Sequence, residues 1–196
     1  MKKIGLLLIG LLVLTQSLFA SEKMVLEKHF VSKIDEVVQI VKTHTTDKEE
    51  RNTQIVKAVT PMFDFTLMAK LSLGKKWKLL NKKDKKEFVR LYVERMKQSY
   101  SSKLDSYSDE KVEITSIKQT KKNRIELITN LLNNEKKLEI IYKFYKPKKQ
   151  KQDKDKWLIY DVVILGVSIL KTDKAQFREY LQTKTIKELL VELETK

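Results

Sequence analysis

Near residue 110 the hydrophobic period of this chain changes from helical to strand-like, and that change limits what it can fold into. Before it, Leu26, Phe30, Ile34, Val37 and Val41 recur at helical spacing, which predicts an amphipathic helix over residues 22–43. Thr46 or Asp47 can cap a second helix that buries Ile55, Val56 and Val59 and ends near Pro61. Asp64, inside "FDF", can cap a short helix from Phe65 to Leu73, which Gly74 stops in a left-handed conformation. Asn81 with Asp84 three residues on resembles a capping box. It opens a long helix through Phe88, Leu91, Tyr92, Arg95 and Met96 to about Leu104.

After residue 110 the segments "KVEITSIKQ", "NRIELITNLL", "KLEIIYKFYK" and "KWLIYDVVIL" read as four strands. Asn133-Asn134 supplies one turn, and the basic, Pro-containing stretch 146–156 another. Short links between consecutive strands imply an antiparallel meander. In the third strand Ile140, Tyr142 and Phe144 share one face, with Ile141 and Tyr145 on the other. Gly166-Val167-Ser168 then leads into a helix through Phe177 and Leu181, and a last helix spans Ile186 to Leu193. Helices first, sheet next and a helical pair last make an α+β domain on a four-stranded antiparallel sheet. No internal repeat or boundary divides it.

The first 20 residues stand apart. Lys2 and Lys3, an uncharged run from Ile4 to Leu14 and a small residue at Ala20 predict a Sec-type signal peptide over residues 1–20, leaving one domain over 21–196. The apolar run is shorter than the roughly 20 residues a membrane span needs. The chain has no Cys, so neither a disulfide nor lipoprotein processing is available. Loss of Lys2 and Lys3 with the leader lowers the formal charge from +15 to +13. A cytosolic chain this basic would point to nucleic acid, but export argues against that partner. Anionic lipid or an acidic protein fits better, and many of the lysines are simply scattered.

Catalytic chemistry is hard to assemble from these residues. His29 and His44 lie fifteen apart with no partner at ligand spacing, so no metal is expected. The four Gly are isolated and form no phosphate loop, and no cofactor motif is present. Ser168 follows Val167 in "GVSIL", which lacks the second Gly of a nucleophile elbow, and it reads better as a helix cap. Asp161, inside an apolar strand, must be hydrogen-bonded or ion-paired. What remains is an apolar and aromatic excess, including Phe63, Phe65, Met68, Trp77, Phe88 and Tyr92. It can fill a core or line a cavity.

Three segments in order, "FDFTLMAKLSLGKKWKLLNKKDKKEF", "SYSSKLDSY" and "KWLIYDVVILGVSILKTDKAQF", resemble the MlaC family, also called the toluene-tolerance auxiliary family. Phe63, Asp64, Phe65, Met68, Ala69, Leu73, Gly74, Trp77, Phe88, Tyr100, Trp157, Asp161, Val162, Gly166, Val167, Ser168, Gln176 and Phe177 carry the resemblance over nearly the whole chain after the leader. "KTDKAQF" departs from it, since an aromatic and an Arg usually precede the Gln, and Leu165 stands where relatives are often acidic. The resemblance implies a periplasmic, non-enzymatic phospholipid carrier, with helices over a strongly curved sheet that encloses an apolar pocket. It implies as partners the lipid-binding subunit of an inner-membrane ABC transporter and an outer-membrane lipoprotein complex. With strand alternation, it places Phe65, Met68, Phe88, Tyr92, Ile140, Tyr142, Phe144 and Val167 on the pocket wall, and Asp64, Gly74, Asp161 and Ser168 in the frame. Another exported hydrophobic ligand, such as an isoprenoid, would demand the same walls. A hydrolase built on Ser168 is the alternative from another class.

Overall fold

The structure, a computed structural model, describes residues 2–44, 46–104, 111–133, 136–148 and 157–195. Most of the predicted loop 146–156, and Asn134 of the predicted Asn133-Asn134 turn, lie outside the described residues. Four helices come first: α1 (Lys2–Thr43), α2 (Lys48–Val59), α3 (Phe65–Leu73) and α4 (Lys82–Leu104). The strands β1 (Lys111–Lys121), β2 (Arg124–Asn133), β3 (Lys136–Tyr145), β4 (Leu158–Ile164) and β5 (Val167–Ser168) follow, and α5 (Ile169–Thr183) and α6 (Ile186–Glu194) close the chain. No helix among the described residues is long and apolar enough to cross a membrane.

Local chemistry sets the helix ends. Asp47 accepts the Glu50 N–H at the start of α2, and Asp64 accepts the Leu67 N–H at the start of α3, both at 2.9 Å. Gly74 ends α3 at φ +56°, with its N–H donating to the Lys70 carbonyl. Asn81 accepts the Asp84 N–H at 2.9 Å and donates its amide to the Asp84 carboxylate. Ser168 caps α5, and Thr185 with Glu188 forms a full capping box on α6.

The sheet is an antiparallel meander in the order β1-β2-β3-β4-β5. It has five strands where four were expected. β5 is two residues long and turns back from β4 through Leu165 (φ 49°) and Gly166 (φ 79°), too short a strand to show a period. Beyond β5 the edge of β4 is covered by the chain before α3, where Phe63 bridges to Ile159 and the Asp64 N–H donates to the Ile159 carbonyl at 2.9 Å.

Two bulges keep one face of the sheet apolar. In β1, Ile114 pairs with Thr129 and Ser116 with Ile128, so Thr115 is the extra residue. Ile114 and Ile117, three apart, therefore both pack on the core. In β4, Asp161 pairs with Lys143 and Ile159 with Phe144, which leaves Tyr160 unpaired. Ile159 thereby shares the inner face with Val162 and Ile164, although strict alternation would send it outward. Tyr160 turns to the opposite side, where the Arg124 guanidinium lies 4.1 Å from its ring centroid.

Candidate functional site

The inner face of the sheet has two unlike ends. At one end Ile125, Leu127 and Phe144 are fully buried beneath the helices. There Phe88 and Tyr92 of α4 meet Phe177 of α5, with ring centroids 5.6 and 6.4 Å apart. The Tyr92 hydroxyl donates to the Asp173 carboxylate at 2.7 Å, and Arg95 donates to its other oxygen at 2.6 Å. This end is closed and locked by ionic hydrogen bonds.

Toward the other end of the same strands the face opens onto a cavity of about 350 Å³. Thr129 and Leu131 of β2, Ile140 and Tyr142 of β3, and Ile159, Val162 and Ile164 of β4 form its floor. Phe30, Ile34 and Val37 of α1 and Ile55, Val56 and Val59 of α2 roof it. Phe63, Phe65 and Met96 contribute where it meets the closed end. The two threonine hydroxyls on the wall are already engaged: Thr60 donates to the Val56 carbonyl at 2.6 Å and Thr129 to the Ile140 carbonyl at 3.3 Å. Among the described residues, Lys33 and Lys97 are the only charged ones that line it. Such a wall supplies dispersion contacts and a refuge from water, and almost nothing that directs a reaction.

Of the eight residues the sequence assigns to the wall, Phe65, Ile140 and Tyr142 line the cavity. Met68, Phe88, Tyr92 and Phe144 do not; they are 0–1% exposed within the closed end. The stripe on α4 is consumed by packing against α5, so its rings never reach the open side. Phe144 shares a face with Tyr142 but sits one pair nearer the closed end, edge-on to Phe30 at 6.4 Å. Val167 pairs with Ile164 at the sheet edge and is 61% exposed, off the wall. The sequence reading missed the whole roof. The apolar stripes of α1 and α2 were visible, but a stripe facing a cavity has the same composition and spacing as one facing a core.

The polar residues assigned to the frame form junctions between elements. Besides capping α3, Asp64 accepts a hydrogen bond from the Tyr145 hydroxyl of β3. Burial pushes the Tyr145 phenol well above its ordinary pKa, and the hydrogen bond and charge of Asp64 push it further. Asp161, 3% exposed, accepts from the Ser168 hydroxyl at 2.8 Å and from the Leu170 N–H at 3.1 Å, with the Lys143 ammonium at 3.6 Å. The Ser168 oxygen also accepts the Lys171 N–H at 3.0 Å, so this hydroxyl is buried and committed to fastening α5 onto β4.

No curated protein sequence matches the chain at a significant level. Among solved structures, it resembles a phospholipid-binding protein from Ralstonia solanacearum determined in complex with a phospholipid. The TM-score is 0.73 at 16% identity, over 85% of this chain and 93% of that one, which establishes a common α+β fold. The sequence profile described as MlaC protein matches residues 32–195. With its profile matched over most of its length and its sheet, roof and cavity in place, the chain belongs to the MlaC family.

Proposed function

We propose that this protein is an exported phospholipid carrier whose cavity shields acyl chain from water. The observation that carries the reading is the apolar cavity between the roof helices and the sheet, in a chain of the MlaC family. The phospholipid complex of the Ralstonia protein, which has the same fold, supports it. Each CH₂ moved from water into such a wall gains about 0.8 kcal/mol, so a lipid chain of ordinary length needs no directional contacts to be held. Phe65, Ile140 and Tyr142 contact acyl chain in this reading, together with the roof residues Phe30, Ile34 and Val37. The carrier acts as one domain over residues 21–196 after removal of residues 1–20, works in the periplasm, and performs no reaction. Its partners are the lipid-binding subunit of an inner-membrane ABC transporter and an outer-membrane lipoprotein complex, which set the direction of transfer.

The test is solvent extraction of the purified, folded protein followed by lipid mass spectrometry. About one glycerophospholipid per chain is the expected result. A folded protein that is consistently free of lipid overturns the reading, and an isoprenoid in the extract replaces phospholipid with another ligand.

A further inference from the structure

On α1 the cavity-facing residues are Phe30, Lys33, Ile34 and Val37, at spacings of three, one and three. Lys33 thus stands within the inward stripe, at a position where a helix over an apolar space ordinarily carries another apolar residue. Its side chain is 24% exposed, so the stem lies along the wall while the ammonium reaches solvent. Lys97, exposed beside the buried Met96 on α4, borders the cavity from a second element. No Asp or Glu among the described residues lines the cavity.

From this placement we infer that Lys33 and Lys97 form a head-group subsite that selects phospholipids of net negative charge. The inference rests on the carrier reading and adds a specificity to it. A charged group on an apolar wall must sit where water reaches it, so the two ammonium groups mark where water meets the cavity and a phosphodiester can come to rest. Lys33 is held by Glu36 at 2.8 Å, but this is a solvent-exposed pair one helical turn apart, of the weak kind that a phosphate can displace. Lys97 makes no ion pair among the described residues. Two cations on a wall that carries no carboxylate among its described residues favour a head group that brings only a phosphate. One that also brings an ammonium is repelled. Both lysines act as point charges, so arginine can replace them and glutamine cannot.

The protein is incubated with vesicles of equimolar phosphatidylglycerol and phosphatidylethanolamine bearing identical acyl chains, recovered, and its lipid quantified. Because both lipids share one surface, general attraction of a basic protein to the vesicle cannot create a preference between them. Wild type is expected to carry phosphatidylglycerol in roughly threefold excess or more, as a contribution of this size per exposed charge allows. The double variant Lys33→Gln/Lys97→Gln is expected to lose that excess at unchanged total load, and Lys33→Arg/Lys97→Arg to keep it. Equal loading in wild type, or an excess that survives the glutamine variant, overturns the subsite and leaves the carrier reading standing. Failure of wild type to take up either lipid overturns both.

Discussion

Along β2, β3 and β4 the same face of one sheet is used in two ways. At the level of Ile125, Leu127 and Phe144 it is sealed by α3, α4 and α5, ring against ring, with Asp173 joining Tyr92 and Arg95. At the level of Leu131, Ile140 and Ile164 the α1–α2 pair stands off and leaves a cavity. Both ends are apolar. The closed end takes the aromatic rings of α4 and α5, and polar side chains tie those two helices together. The open end is roofed chiefly by aliphatic side chains, and the two threonines on its wall bond to backbone carbonyls. Packing that closes one end so completely lets the other remain under-filled, because the fold does not depend on the cavity wall for its ion-paired junctions.

The largest effect expected from this contrast is a charge placed at each end. Phe88→Glu puts an unpaired carboxylate in the closed core and should give no folded protein. Ile140→Glu, on the cavity floor, should give a folded protein with little bound lipid, since water entering the cavity can solvate the charge. Circular dichroism and lipid content on the same samples check both. Two folded variants would show that the ends do not differ.

A smaller effect follows at the junction that locks the closed end. Asp173→Ala leaves the Tyr92 hydroxyl and the Arg95 guanidinium without their shared acceptor. Arg95 is a quarter exposed, which moderates the loss to about 3 kcal/mol. The midpoint of thermal unfolding should fall by roughly 6–12 °C for a chain of this size, with lipid load unchanged. A shift below the precision of the melt would mean that ring packing alone holds α5 on α4.

Smaller again, at about 2 kcal/mol, is the difference between two truncations on β2. Leu127→Ala opens a void at the closed end and should cost about 3 kcal/mol in chemical denaturation. Leu131→Ala only enlarges a space already present and should cost about 1 kcal/mol. Equal losses would mean that the cavity is packed as tightly as the core.

Much of this architecture was legible because its signals are local. Caps such as Asp64, Asn81 and Ser168, and the stop at Gly74, are decided within one turn of chain, and the four long strands follow from alternation. Asp161 was legible for a different reason: a carboxylate in an apolar strand must find donors, and it finds Ser168 and Leu170. The division between core and cavity was not legible. Phe88 and Tyr92 are spent on Phe177, nearly ninety residues away in sequence, and no periodicity in α4 reports that partner. The stripe of α1 meets a space because α1 and α2 pack on each other above the sheet, which again is a tertiary outcome. The bulges were hidden too, since an extra residue leaves composition unchanged while reversing which side chains face inward.

That last property gives the bulge in β4 something like the role of a reading frame. Tyr160 is the single residue that brings Ile159 into phase with Val162 and Ile164. Pair it with a residue of β3 instead, and the ladder becomes regular only by an inversion on one side of Tyr160. Either Ile159 turns out to solvent, or Asp161 swings into the cavity and surrenders its hold on the start of α5. Closing the bulge by one step of register would then matter more than most exchanges of side chain, because it inverts every side chain on one side of it. The strand can vary in what it carries at each position far more freely than in which residue of β3 each position faces.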